Sequence, residues 1–272
     1  MAQGVAEARF TTLQQRALST LVLAPVAIGL TLAGGYAFAA LVGVAAVLMA
    51  LEWQRLCDAG GDRRVGTALA AVLLGAVVLA ALGEAATAWT LIGTVLAATL
   101  ILARRRGLWL AVGLVYVATP CLTVLWLRER PEIGLAGVIW LFAVVWIADT
   151  CAFLVGRAVG GPRLAPRISP KKTWAGLAGG LAGAAVVGVA MAWFTSGGGA
   201  ATLAGLSMAI ALVAQLGDLL ESWLKRRAGV KDSGHLIPGH GGVLDRLDGL
   251  VTAAPVLALM ALMAPEELPA WP

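Results

Sequence analysis

The stretch Glu221–Gly249 reads ESWLKRRAGVKDSGHLIPGHGGVLDRLDG, within a chain that is otherwise mostly apolar. Asp245 and Asp248 lie three residues apart, which puts both carboxylates on one face of a helix. Paired carboxylates beside Lys225, Arg226, Lys231 and Arg246 suit a divalent cation that also binds phosphate oxygens, as Mg2+ does. Gly239, Gly241 and Gly242 let the backbone approach a ligand closely. Just upstream, Gln215, Asp218 and Ser222 follow i, i+3, i+7 spacing and form one polar stripe on an apolar helix. Asp149 lies inside another apolar run, and Arg157, eight positions on, points to roughly the same face. An ionisable group inside a span is costly and is therefore a functional candidate; the plainer alternative is an interhelical hydrogen bond that only fixes packing.

A second polar segment, GRAVGGPRLAPRISPKKTW, begins at Gly156. Ser169 as an N-cap with Pro170 at the first helical position predicts a helix start there, with Lys171 and Lys172 in its first turn. Cations at that end oppose the helix dipole unless an anion is bound, so the arrangement suggests a phosphate site. An ordinary basic loop against anionic lipid headgroups is the alternative. His235 and His240 lack zinc-site spacing, and Cys57, Cys121 and Cys151 read as packing residues. The basic residues are not interleaved with stacking aromatics, which argues against nucleic acid as a partner.

The elements that must position these groups are membrane spans. The chain has 272 residues, is 60% hydrophobic and 13% charged, with mean hydropathy +0.88. A soluble domain carries about a quarter charged residues. The pattern predicts an all-α polytopic transmembrane bundle of nine spans, at 17–34, 35–53, 66–82, 85–103, 108–127, 133–156, 174–194, 200–224 and 247–264. With the N-terminus in the cytoplasm, every strongly basic connection falls on the cytoplasmic side, including the polar loops 157–172 and 225–246. The whole chain, 1–272, reads as one integral membrane domain: 1–132 as scaffold, with Glu52 as an interfacial residue, and 133–264 as the spans and loops of the active site.

These motifs resemble a known signature. Ser222-x-Leu224-Lys225-Arg226, Lys231-Asp232-Ser233-Gly234, Pro238-Gly239-His240-Gly241-Gly242 and Leu244-Asp245-Arg246-x-Asp248 are similar to the bacterial phosphatidate cytidylyltransferases, or CDP-diacylglycerol synthases. Asp149-Thr150, Gly156-Arg157, Ile168-Ser169-Pro170-Lys171-Lys172-Thr173 and Gly217-Asp218-Leu219-x-Glu221-Ser222 look like that family too. The sequence departs from it at Ala175, where the family often has Glu, and at Gly249, where Ser commonly follows the last Asp. The resemblance implies CTP and phosphatidate as substrates, CDP-diacylglycerol and pyrophosphate as products, and a place in phospholipid biosynthesis. It implies a site facing the cytoplasm in the bacterial inner membrane, with Mg2+, K+ as a candidate second cation, and a homodimer as a candidate assembly. By that resemblance Asp218, Asp245, Asp248, Lys225 and Arg246 are the catalytic candidates, and Asp218, Asp245, Asp149 and Asp248 the metal ligands. Arg157, Ser169, Lys171, Lys172, Ser222, Arg226, Lys231, Asp232, His240, Gly241 and Gly242 are the substrate-binding candidates. Arg246 either offsets charge in the transition state or pairs with a carboxylate. The competing readings are a CTP-dependent polyprenol or dolichol kinase, which would release CDP, and a transporter with Asp149 and Asp218 along its pathway.

Overall fold

The structure is a computed structural model that describes residues 21, 24–57, 63–102, 104–131, 133–234, 236 and 241–270. The helices are α1 (Ala24–Ala33), α2 (Gly35–Cys57), α3 (Arg63–Ala81), α4 (Ala85–Leu102), α5 (Arg104–Glu129), α6 (Gly134–Val159), α7 (Trp174–Phe194), α8 (Ala200–Arg227) and α9 (Leu244–Met263). Eight of these, α2 to α9, are long and apolar enough to cross a membrane, so the chain is a multi-pass membrane protein. The first predicted span, 17–34, begins outside the described residues, and its described part is α1. The remaining predicted spans each match one helix, with ends that differ by a few residues. Two of those differences matter. Helix α8 runs on to Arg227, which makes Lys225, Arg226 and Arg227 its last turn, where cations favour the helix dipole. Helix α9 starts at Leu244, which puts both Asp245 and Asp248 on the helix.

One expectation is overturned. Ser169 does not cap a helix, and Lys171 and Lys172 do not lie in a first turn. Residues Arg163–Ala165 (β1) and Ser169–Thr173 (β2) form an antiparallel ribbon, with Arg163 opposite Thr173 and Ala165 opposite Ser169. The helix start is delayed to Thr173, whose backbone is extended and whose hydroxyl oxygen accepts the Gly176 N–H at 3.0 Å. Pro170 is tolerated in such a ribbon, because an edge strand can do without its N–H. The consequence is that the two lysines sit on a short strand leading into α7, not over free helix amides.

Small residues let the functional half close up. A Cβ at Gly176 of α7 would sit 2.8 Å from the Ala152 carbonyl of α6, and one at Gly180 would sit 2.9 Å from that of Ala148. Backbone against backbone at this range needs glycine, the usual device of packed membrane helices. Helix α6 is buried along Trp140, Leu141, Val144, Val145 and Ala148, and its Trp140 Nε1 donates to Ser207 Oγ of α8 at 2.9 Å. Helices α5 and α9 also pack together, which ties the two halves into one bundle. At the opposite end from the polar loops, Arg128 of α5 donates to the carbonyls of Thr31 and Leu32, at 3.1 and 3.3 Å, and so caps the C-terminal end of α1. Helix α4 is peripheral: among its residues only Ala88 and Ile92 are buried.

Candidate functional site

The C-terminal ends of α6 and α8, the N-terminal end of α9 and strand β2 converge at one end of the bundle. They surround a cavity of about 1270 Å3. Its polar end carries Asp149 and Arg157 from α6, Lys171 and Lys172 from β2, Gln215, Asp218 and Lys225 from α8, Asp232, and Asp245, Arg246 and Asp248 from α9. Its other arm is apolar and reaches between Ala24 and Ala27 of α1, Phe38 to Met49 of α2, Pro120 and Val124 of α5, and Phe142 and Trp146 of α6. The cavity therefore joins a charged chamber to a hydrocarbon-lined one.

Two Lys–Asp networks shape the charged end. In the first, Lys172 Nζ pairs with Asp218 Oδ2 at 2.5 Å and donates to Gln215 Oε1 at 3.0 Å. The Gln215 amide in turn donates to Asp149 Oδ1 at 2.7 Å, and Ser222 Oγ reaches Asp218 Oδ1 at 3.3 Å. The Gln215, Asp218, Ser222 stripe thus faces one network, as its spacing predicts. In the second, Lys225 Nζ donates to Asp245 Oδ1 at 2.6 Å. Asp245 Oδ2 accepts from Ser233 N and Gly242 N, both at 2.9 Å, and lies 3.0 Å from Ser233 Oγ. Glu221, 1% exposed, lies beside Lys225: Nζ is 3.2 Å from Oε1, close enough for charge pairing but off the hydrogen-bonding direction.

Arg157, Lys171 and Arg246 line the same cavity without a side-chain ion pair or hydrogen bond among the described residues. All three are exposed, so solvent screens them, and together they present positive charge to an anion entering the cavity. The sequence candidates divide accordingly. Asp149, Arg157, Lys171, Lys172, Asp218, Lys225, Asp232, Asp245, Arg246 and Asp248 come together on the cavity wall. Ser169 is in the ribbon, Arg226 donates outward to the Val230 carbonyl at 3.3 Å, and Lys231 is exposed, all three away from that wall. Ser222 acts on Asp218, and Gly242 acts through its N–H on Asp245; Gly241, with φ +87, makes the turn beside it. His240 lies outside the described residues.

For a metal, the donors differ. Among the described residues, no three His, Cys, Asp or Glu side chains converge as a preformed cage. Mg2+ asks for less, commonly one or two carboxylates with water and substrate phosphates completing its shell. Asp218 and Asp248 fit that demand. They are close enough to repel one another, they share the cavity with Asp149, and one Asp248 oxygen is taken only by the neighbouring Gly249 N–H. Asp245 fits poorly, since both its oxygens are engaged and it could bind a metal only by giving up Lys225.

One residue escaped sequence reading. Glu52 of α2, read there as interfacial, is 2% exposed and holds the start of α9. A signal was present, a carboxylate at the end of an apolar helix, but Arg55 three residues on offers it a local partner and hides the distant one. Of the two family departures, Gly249 has a packing reason. A Cβ there would meet Val145 Cγ1 at 3.1 Å and Ala214 Cβ at 3.3 Å, so α9 lies too tightly on α6 and α8 for serine without a shift. Ala175 sits in the first turn of α7, half-buried.

The sequence model of the cytidylyltransferase family matches residues 14–264. A phosphatidate cytidylyltransferase of Brucella suis biovar 1 is similar at 39% identity over 268 residues, covering 95% of this chain and 97% of the relative. Another, from Pseudomonas aeruginosa, is 38% identical over 268 residues, covering 91% and 96%. One from Haemophilus influenzae reaches 46% identity over 134 residues, 46% of this chain and 45% of the relative.

Proposed function

The chain belongs to the cytidylyltransferase family, and on that premise we propose that it transfers the cytidylyl group of CTP to phosphatidate. The products are CDP-diacylglycerol and pyrophosphate. The observation that carries this reading is the cavity, which joins the cations Arg157, Lys171 and Arg246 to an apolar arm between α1, α2, α5 and α6. A nucleoside triphosphate needs the first and a two-tailed phospholipid the second. Val26, Val44, Trp146 and Phe153 line the cavity and are exposed, which supports sideways entry of lipid from the membrane.

In this reading an oxygen of the phosphatidate phosphate attacks the α-phosphorus of CTP. The new P–O bond forms as the bond from the α-phosphorus to the bridging oxygen breaks, and pyrophosphate leaves with that oxygen. The attacking phosphate is already ionised at neutral pH, so positioning and charge stabilisation do most of the catalysis. Arg157, Lys171 and Arg246 hold the phosphates, and Lys172 lies on the same wall beside them. Asp218 and Asp248, with Asp149 beside them, would hold Mg2+, which would offset the charge of the triphosphate. Lys225 and Asp245 keep the first turn of α9 in place. The basic connections support a cytoplasmic face for this end of the bundle and for the N-terminus, and the bacterial relatives support the inner membrane as its location.

The test is pyrophosphate release by purified protein in mixed micelles containing CTP, Mg2+ and phosphatidate, each omitted in turn. Release that requires all three, with CDP-diacylglycerol formed in step, is expected. CDP formed on a polyprenol acceptor instead would move the protein to the kinase reading.

A further inference from the structure

Glu52 sits 181 residues before its nearest polar partner in sequence, yet its carboxylate is fully engaged. Oε1 accepts the Val243 N–H at 2.9 Å, and Oε2 accepts the Leu244 N–H at 2.8 Å and the Ser233 hydroxyl at 3.0 Å. These two amides are among the orphan donors at the start of α9, where a carboxylate is favoured. The Ser233 hydroxyl also lies 3.0 Å from Asp245 Oδ2, so one proton is shared between the two carboxylates. The backbone is shaped around this group. A Cβ at Gly234 would come 2.8 Å from Glu52 Oε1, and one at Gly242 would collide with Glu52 Oε2 and Ser233 Oγ.

We propose that Glu52 is a positioning residue for cytidylyl transfer. It fixes Ser233 and the backbone at Val243 and Leu244, and through them the first turn of α9, which presents Asp245, Arg246 and Asp248 to the cavity. It does so from α2, the helix whose earlier turns line the apolar arm with Phe38, Val42 and Met49. One helix thus sets both the wall against the lipid tails and the register of the charged groups. The inference rests on the reaction proposed above.

The test is Glu52→Gln, which preserves volume but turns one acceptor into a donor facing an N–H or a hydroxyl. In micelles with CTP, Mg2+ and phosphatidate, kcat is expected to fall about tenfold to a hundredfold. KM for phosphatidate should stay near wild type, and the protein should remain folded at the assay temperature although its unfolding temperature falls. Deuterium uptake should rise in peptides spanning 241–247 and stay level in α6 and α7. Combining Glu52→Gln with Ser233→Ala should lower kcat by less than the product of the single effects, because both act on one link. A near wild-type kcat, unchanged uptake at 241–247, or uptake rising throughout with kcat tracking the folded fraction would each overturn the proposal. Wild-type protein silent with CTP and phosphatidate would overturn the assigned reaction alone, and the uptake comparison would still decide whether Glu52 holds the start of α9.

Discussion

Two Lys–Asp pairs flank the charged end of the cavity, and they are built differently. Lys172 and Asp218 keep side-chain exposures of 19% and 27%, and Asp218 has only a 3.3 Å serine contact besides its lysine. Lys225 and Asp245 are at 11% and 5%, and Asp245 is saturated by its lysine, two backbone amides and Ser233. A pair that is open and thinly supported can exchange its partner for a ligand at small loss. A pair that is dry and fully hydrogen-bonded cannot, because removing either member strands a charge. The comparison assigns chemistry to the first pair and architecture to the second, although the residue types are identical.

The sharpest way to break that division is Asp218→Asn. Turnover should fall by about 10^3-fold or more, with stability changed by under about 1 kcal/mol. Pyrophosphate release and thermal unfolding in detergent measure the two, and near-normal turnover removes Asp218 from the chemistry. Lys225→Met should do the reverse in emphasis, lowering stability by about 3–5 kcal/mol because it leaves Asp245 and Glu221 buried without a cation. An unchanged unfolding temperature there would sink the architectural assignment. Lys172→Met should reduce kcat/KM about tenfold to a hundredfold, with unfolding close to wild type. The two serines give the finest comparison. Ser233→Ala should lower stability by about 1 kcal/mol or more, since it leaves buried acceptors short of a donor. Ser222→Ala removes a longer, more exposed contact and should shift unfolding by under about 0.5 kcal/mol.

Much of this was legible in the sequence where periodicity and partners are local. Eight of the predicted spans coincide with helices whose ends lie within four residues of expectation, and the run from Trp174 to Phe194 matches at both ends. The polar stripe of α8 follows from spacing alone. The helix start at Ser169 misled because Ser-Pro looks like a cap locally, whereas Thr173 competes for that role and strand pairing to Arg163–Ala165 decides the outcome. The role of Glu52 was hidden for the opposite reason. Its partners are Ser233, Val243 and Leu244, and no window of sequence contains both sides. The distinction between Asp218 and Asp245 has no trace in the sequence either, since it rests on burial and on backbone amides that carry no side-chain signature.

The continuity of the apolar arm with exposed Val26, Val44 and Phe153 bears on the energetics of handling a lipid. Drawing acyl chains out of hydrocarbon into water costs about 0.8 kcal/mol per methylene, or about 12 kcal/mol for a single sixteen-carbon chain. An arm lined by Phe38, Val42 and Met49 never asks for that work. On the proposed route the tails pass from one hydrocarbon environment to another, and only the headgroup must be desolvated. Turnover should therefore depend on lipid concentration within the membrane, as a surface density, and hardly at all on lipid dispersed in the surrounding water.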